Sequence, residues 1–316
     1  VSARRFTTAD GTSLAVEWGG GSGDFGDSGD FGDFTADGPT VVLVHGWTQD
    51  RRTWDRVVEL LPPDVRWMRY DLRGHGESAP AVPGGATIAR LADDLAEIVE
   101  DAVTTGRVAP HGGLLLAGHS MGGMTIMALA ERHPELVRQH ASGVVFVSTA
   151  CADMGRVTLG LPGAAGRVAH RVERGLATAL ARYRRDRLPL RPAVARVGTR
   201  WLVFGRRPRR ADVASVTDQL LRAHPASVGA FQTEISVHDR TAALATLRGV
   251  PGAVLTGTAD RLCSPRHARA IADELGSAHL VTLPDAGHML AHERAHDVAD
   301  QITAVAARRE AAPLPS

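Results

Sequence analysis

The sequence predicts an α/β protein: a mostly parallel central sheet with helices on both faces and an inserted helical lid. Three observations carry that expectation. Short apolar runs that read as buried strands alternate with stretches of helical periodicity. One such run, Leu114–Ala117, leads through Gly118-His119-Ser120-Met121-Gly122 directly into a helical pattern. Between Cys151 and Phe231 the alternation stops, and arginine-rich helical patches are punctuated by Pro162, Pro189, Pro192, Pro208 and Pro225.

Taken in order, Arg4–Thr8 and Thr12–Trp18 flank the turn Ala9-Asp10-Gly11, a hairpin signal. Residues 19–38 are a low-complexity insert in which Asp24, Asp27, Asp30 and Asp33 recur every three residues. Carboxylates among glycines could hold calcium, but this spacing misses the alternating ligands of a calcium loop. A flexible, solvated extension of the hairpin is the expectation. Thr40–Val44 reads as a buried strand ending in His45-Gly46-Trp47, followed by a helix over Arg52–Leu61 that Pro62-Pro63 stops.

Val65–Tyr70 is the next strand and runs into Asp71–Ser78. From Thr87 to Val103, Ile88, Leu91, Leu95, Ile98, Val99 and Ala102 form one sheet-facing helical stripe. After the Leu114 strand and the helix Met121–Arg132, Gly143–Ser148 is a further buried strand. The alternation resumes beyond the lid with strand Pro251–Gly257, helix Pro265–Leu275 and strand His279–Leu283. A last amphipathic helix carries Val298, Ile302 and Val305, and Ala311–Ser316 is a tail. The core thus spans residues 1–150 and 232–316, with the lid at 151–231.

A chain of 316 residues holds one large α/β domain or two small ones. The net charge of +1 points to neither nucleic acid nor an anionic membrane as a partner. All 36 basic residues are arginine, which reads as compositional bias rather than function. Cys151 and Cys263 do not make a secreted disulfide framework, although one bridge between them is conceivable. No apolar run approaches the length of a membrane span, so no stable membrane insertion is expected. Positions 1–20 lack the layout of a signal peptide, and a cytoplasmic location is the expectation.

The Gly118-x-Ser120-x-Gly122 pattern matches a nucleophile elbow, in which serine occupies a strained turn between strand and helix. Taken alone, the same residues could be a glycine-rich turn with an exposed serine. A serine hydroxyl needs a base within hydrogen-bond reach, oriented in turn by a carboxylate. In open α/β sheets these groups collect where strands end. Asp260 follows strand Ala253–Leu255, and His288 follows strand His279–Leu283, which gives the order Ser, acid, His.

With these motifs in place the chain resembles the α/β-hydrolase superfamily from Arg4 to Ala307. The matching residues are His45-Gly46, Asp71–Ser78, Gly118–Gly123, Gly257-Thr258-Ala259-Asp260 and Gly287-His288. The resemblance implies Ser120 as nucleophile, His288 as general base then acid, and Asp260 as the orienting carboxylate. It also implies an oxyanion hole from the backbone N–H groups of Met121 and Trp47, worth about 3 kcal/mol apiece.

Asp153 is a rival acid, because some members of the superfamily place theirs after the preceding strand; the Gly-x-x-Asp setting favours Asp260. Asp285, so near His288, shapes its loop, and Glu293 resembles a helix-start residue with a structural role. His45, His75 and His119 are expected to hold turns near the cleft rather than transfer protons. No histidine spacing suits a metal, and no cofactor is implied.

Arg167, Arg171, Arg174, Arg182, Arg184, Arg185 and Arg187 of the lid are opposed over that span only by Glu173 and Asp186. They form either a surface for an anionic substrate, carrier protein or lipid interface, or a merely solvated face. Leu159, Leu161, Val168, Val172, Leu176 and Leu180 could line an acyl pocket or pack lid against sheet.

The expected activity is serine-dependent hydrolysis of a carboxylic ester, on a small ester or a monoacylglycerol-like lipid. Acyl-thioesterase, lactonase, carbon–carbon bond hydrolase and cofactor-free haloperoxidase chemistry would use the same residues. A binding protein that retains the pocket without turnover is the reading from another class.

Overall fold

The computed structural model describes residues 3–21, 38–109, 111, 113–156, 163–183, 185–188 and 190–310. Outside them lie the predicted insert apart from its ends, Leu159, Leu161, Pro162, Arg184, Pro189 and the tail, together with the side chains of Arg167, Glu173 and Arg174.

The strands are β1 (Arg4–Thr7), β2 (Ser13–Gly19), β3 (Thr40–Val44), β4 (Trp67–Tyr70), β5 (Leu114–His119), β6 (Ala141–Val147), β7 (Gly252–Gly257) and β8 (His279–Leu283). They form one sheet in the order β1-β2-β4-β3-β5-β6-β7-β8. The hairpin β1–β2 is antiparallel and joins β4 antiparallel; every other pairing is parallel. Parallel strands must be covered on both faces, and alternate residues show how. Val42, Val44, Leu116, Phe146 and Val254 pack on one side, while Val41, Leu43, Leu115, Val145 and Leu255 pack on the other.

The helices α1 (Asp55–Val58), α2 (Ile88–Thr104), α3 (Met121–Arg132) and α4 (Pro134–His140) precede β6. Then come α5 (Gly163–Ala181), α6 (Pro192–Val203), α7 (Arg210–Arg222) and α8 (Pro225–Ser236), inserted between β6 and β7. The helices α9 (Pro265–Leu275), α10 (Leu290–Glu293) and α11 (Ala295–Glu310) complete the fold. The stripe predicted for α2 is buried along its whole length, and its N-cap is Thr87, whose hydroxyl accepts from Arg90 N. Apolar side chains of α2, α3 and α9 cover the first face of the sheet, and those of α1, α10 and α11 the second.

Two elements differ from expectation. The helix expected at Arg52–Leu61 is a 3-10 turn, Arg51–Trp54, followed by the single turn α1. Tertiary contacts override the helical pattern here. The Asp50 side chain caps Arg52 N, Arg51 is held by Asp71 at 2.5 Å, and Trp54 is driven into the core. The other is α4, a short helix with Pro134 at its first position that the periodicity did not reveal. Within the insertion, Pro192 and Pro225 stand in the first turn of α6 and α8, so these breakers begin helices. Phe204, Val213, Val216 and Met289 bury together, pinning α7 to the loop after β8.

Candidate active site

The loops leaving the carboxyl ends of β3, β5, β7 and β8 bring Trp47, Ser120, Asp260 and His288 to one rim of the sheet. Ser120 sits between β5 and α3 with φ 52° and ψ −118°, a backbone region that side chains rarely adopt. The strain is held in place from both sides. Ser120 N donates to Val147 O (3.0 Å), and Ser120 O accepts from Gly123 N (2.9 Å) and Thr149 Oγ1 (2.7 Å). The flanking glycines are steric necessities. A Cβ on Gly118 would stand 2.6 Å from Gly123 N, and one on Gly122 would stand 2.1 Å from Val44 O.

His288 Nδ1 lies 2.9 Å from Asp260 Oδ2, with both side chains buried. The other carboxylate oxygen, Oδ1, accepts from Leu262 N (2.8 Å) and Cys263 N (2.9 Å), so the aspartate is fixed before it meets the imidazole. With its Nδ1–H given to Asp260, a neutral imidazole presents its lone pair on Nε2. Ser120 and His288 line the same cavity of about 370 Å³, whose walls include Met124, Met154, Leu202, Val216, Ile235 and Leu262. The Ser120 hydroxyl forms no hydrogen bond with another described residue; in ligand-free sites this contact commonly tightens only around substrate.

Met121 N, at the start of α3, and Trp47 N, after β3, have no hydrogen-bond partner among the described residues. The loop carrying Trp47 is braced on several sides. Trp47 Nε1 donates to Val228 O of α8 (2.9 Å), and Thr48, at φ 62°, donates its N–H to His75 Nε2 (3.1 Å).

The other cleft histidines are structural. His45 joins Gly46 O to Leu72 N, and His75 joins Arg73 O to Thr48 N. Burial pushes both below the ordinary imidazole value, His75 down to about 3. His119, held well below the ordinary imidazole value by burial, has its ring nitrogens facing Gln49 Oε1 (3.0 Å) and the His288 carbonyl (2.9 Å). Gln49 is a residue that the sequence reading missed. Its Oε1 also accepts from Gly46 N (3.3 Å) and Thr53 Oγ1 (3.1 Å), tying the loop after β3 to the histidine loop. Nothing in the motif pattern marks it.

Glu293 accepts from Gly205 N (2.9 Å) and Gly287 N (3.0 Å), and burial raises its carboxyl above the usual range. It fastens the histidine loop to the end of α6. Asp285, at φ 58°, is exposed in that loop, and Asp153 is likewise exposed and makes no bond to His288. Cys151 and Cys263 are both free and buried, with burial raising both thiols, and Cys263 borders the cavity.

A family model described as serine aminopeptidase, S33, matches residues 36–295. The chain belongs to this family of α/β-hydrolases. This hydrolase also superposes on an esterase of Thermogutta terrifontis with a TM-score of 0.72 and 26% identity, covering 96% of this chain and 97% of that one. A 117-residue stretch is 33% identical to the pimeloyl-[acyl-carrier protein] methyl ester esterase of Nitrosomonas europaea, spanning 37% of this chain and 40% of that protein. Over 97 residues it is 37% identical to a Mycobacterium tuberculosis protein named probable oxidoreductase EphD, of which the chain spans 15%. Family and fold together place this chain among the α/β-hydrolases.

Proposed function

We propose that this hydrolase cleaves carboxylic esters with an apolar acyl group of modest size, through an acyl-enzyme on Ser120. One observation carries the reading. His288 is anchored through Nδ1 to Asp260 at 2.9 Å and shares an apolar cavity with a serine held at a positive φ.

In the first half-reaction, His288 Nε2 takes the Ser120 proton as Oγ attacks the carbonyl carbon. The carbonyl electron pair moves onto oxygen, where the N–H groups of Met121 and Trp47 receive the charge. Asp260 stabilises the imidazolium through Nδ1. The carbon–oxygen bond to the alcohol then breaks, and His288 returns the proton to the departing alkoxide. Water, deprotonated by the same imidazole, attacks the acyl carbon in the second half and releases the carboxylic acid and Ser120. The helices α5–α8 serve as the lid, since Leu202, Val216 and Ile235 wall the cavity from that side. A volume of about 370 Å³ stands at the small end of ligand pockets, which run from about 300 to 1,000 Å³. Small esters and monoacylglycerol-like lipids belong to the class that fits. The esterase names of two relatives agree with this chemistry.

A fluorophosphonate probe followed by p-nitrophenyl esters of graded acyl length tests the proposal, with acyl-thioesters run alongside. Labelling and turnover by the wild type, both abolished in Ser120→Ala, are the expected result. Absence of labelling in the wild type would instead make the cavity a binding site without turnover.

A further inference from the structure

A helix on a protein surface ordinarily turns polar residues outward. Two helices of the insertion break that rule. Of the nine large hydrophobic residues that are exposed among the described residues, seven belong to α5, to α6 and to Leu190, two residues before α6. On α5 they are Val168, Val172 and Leu176, each four residues from the next, with Leu176 66% exposed. Around α6 they are Leu190 in the segment before the helix, and Val194, Val197 and Trp201 on one helical face, with Val197 70% exposed.

Charge on the same segment is equally lopsided. Residues 163–203 contain ten arginines and two carboxylates, in a chain whose net charge is only +1. Apolar ridges flanked by arginine are the signature of helices that lie in a lipid–water interface. Each cation close to an anionic leaflet adds to that attraction. No helix among the described residues is long and apolar enough to cross a membrane, so such contact would be peripheral. The position of the face matters as well. Leu190 and Val194 are exposed and also line the Ser120 cavity, while Ala195 and Thr199 of α6 turn into it. The cavity mouth therefore lies at the edge of the apolar face.

We propose that α5 and α6 dock this hydrolase onto anionic lipid surfaces, with the mouth of the Ser120 cavity at the contact. Docking is independent of catalysis; entry of a lipid ester from the surface rests on the ester-hydrolase reading above. The positive charge selects an anionic surface, and the ridge of Val197 and Trp201 supplies apolar burial on top of it.

Flotation with phosphatidylcholine vesicles, with and without phosphatidylglycerol, tests this directly. The wild type and Ser120→Ala are expected to float equally with the anionic vesicles and to stay behind with neutral ones. High salt should release them. Val172→Glu/Val197→Glu replaces one exposed residue on each helix, neither lining the cavity. It should lower partitioning about tenfold or more and leave hydrolysis of a water-soluble p-nitrophenyl ester unchanged. Arg171→Gln/Arg196→Gln, which keeps the apolar ridges, should lower it to a similar extent, about tenfold. Circular dichroism checks that both variants fold. The proposal is overturned if the wild type fails to float, floats equally on neutral vesicles, or floats undiminished in the glutamate variant. Lipid-free dimerisation that the same variant abolishes would assign the face to a second copy of the chain and equally overturn it. Because Ser120→Ala is part of the test, loss of docking and loss of the ester-hydrolase reading give different results.

Discussion

Replacing Asp260 by asparagine tests the catalytic account with almost no change of shape. In the wild type Oδ1 accepts from Leu262 N (2.8 Å) and Cys263 N (2.9 Å), and Oδ2 faces His288 Nδ1 at 2.9 Å. Asparagine has one acceptor and one donor end. Its oxygen will stay on the two backbone N–H groups, because turning the amide would set a donor against two donors. The NH₂ then points at Nδ1, which must accept, and the imidazole proton moves to Nε2. That tautomer offers Ser120 a donor where a base is needed. The expected loss in kcat is about 10⁴-fold, equivalent to about 5.5 kcal/mol. KM should stay close to wild type, since the cavity wall is untouched. Stopped-flow hydrolysis of a p-nitrophenyl ester gives the rate, and fluorophosphonate labelling should slow in parallel. Asp153→Asn is the control, because Asp153 is exposed and unbonded to His288; its rate should not change. A loss below about tenfold in Asp260→Asn, or a large loss in Asp153→Asn, would refute the assignment.

Three further outcomes concern stability. His292 is buried, and burial together with Arg56 lowers its pKa to about 4. A histidine that is neutral when folded stabilises above its unfolded value near 6.5, and that stability is lost as pH falls toward the folded value. Between pH 7 and pH 5 the wild type should therefore lose about 2 kcal/mol more than His292→Gln in urea unfolding; parallel pH profiles would exclude it. Arg73 and Asp94 pair at 2.6 Å with side chains almost wholly buried, so Asp94→Ala removes two charge-assisted hydrogen bonds and leaves the buried guanidinium to Asp10 at 2.8 Å. That change should cost about 2–3 kcal/mol, read as a lower urea midpoint at unchanged slope. Gly122→Ala would ordinarily favour a helix by about 1 kcal/mol. Here the new Cβ would meet Val44 O at 2.1 Å, so the sign should reverse, to a loss of about 3 kcal/mol or more, visible in the melting temperature.

The elements legible in the sequence are those in which one residue set serves two levels at once. The strand–Ser120–α3 unit is the clearest, because its glycines are required both by the crossing of strand and helix and by the strained turn at Ser120. The α2 stripe is another, since every position of the pattern faces the sheet. The expected helix at Arg52–Leu61 misled because its residues answer to distant partners. Arg51 reaches Glu17 and Asp71, and the Arg52–Asp50 pair extends to Asp218 of α7. Gln49 stayed hidden for the same reason: a glutamine's role depends on which three groups happen to surround its carbonyl.

Four histidines crowd the rim of the sheet, and the sequence separates His288 from the other three only by its place after a strand and its order behind Ser120 and Asp260. Hydrogen bonding separates them completely. His45 and His75 each donate at Nδ1 and accept a backbone N–H at Nε2, His119 faces an oxygen at each ring nitrogen and donates to one of them, and burial disfavours the charged form of all three. Such a ring can neither take nor give a proton without breaking the loop it holds. Of the four, only His288 has one nitrogen committed, to Asp260, and its ring bordering the cavity that Ser120 also borders. On the proposed reading the same imidazole chemistry serves shape three times and reaction once. The three structural rings also act on the site, because His75 steadies the loop of Trp47 and His119 holds the His288 carbonyl. Removing either should misplace a catalytic group without touching the reacting atoms.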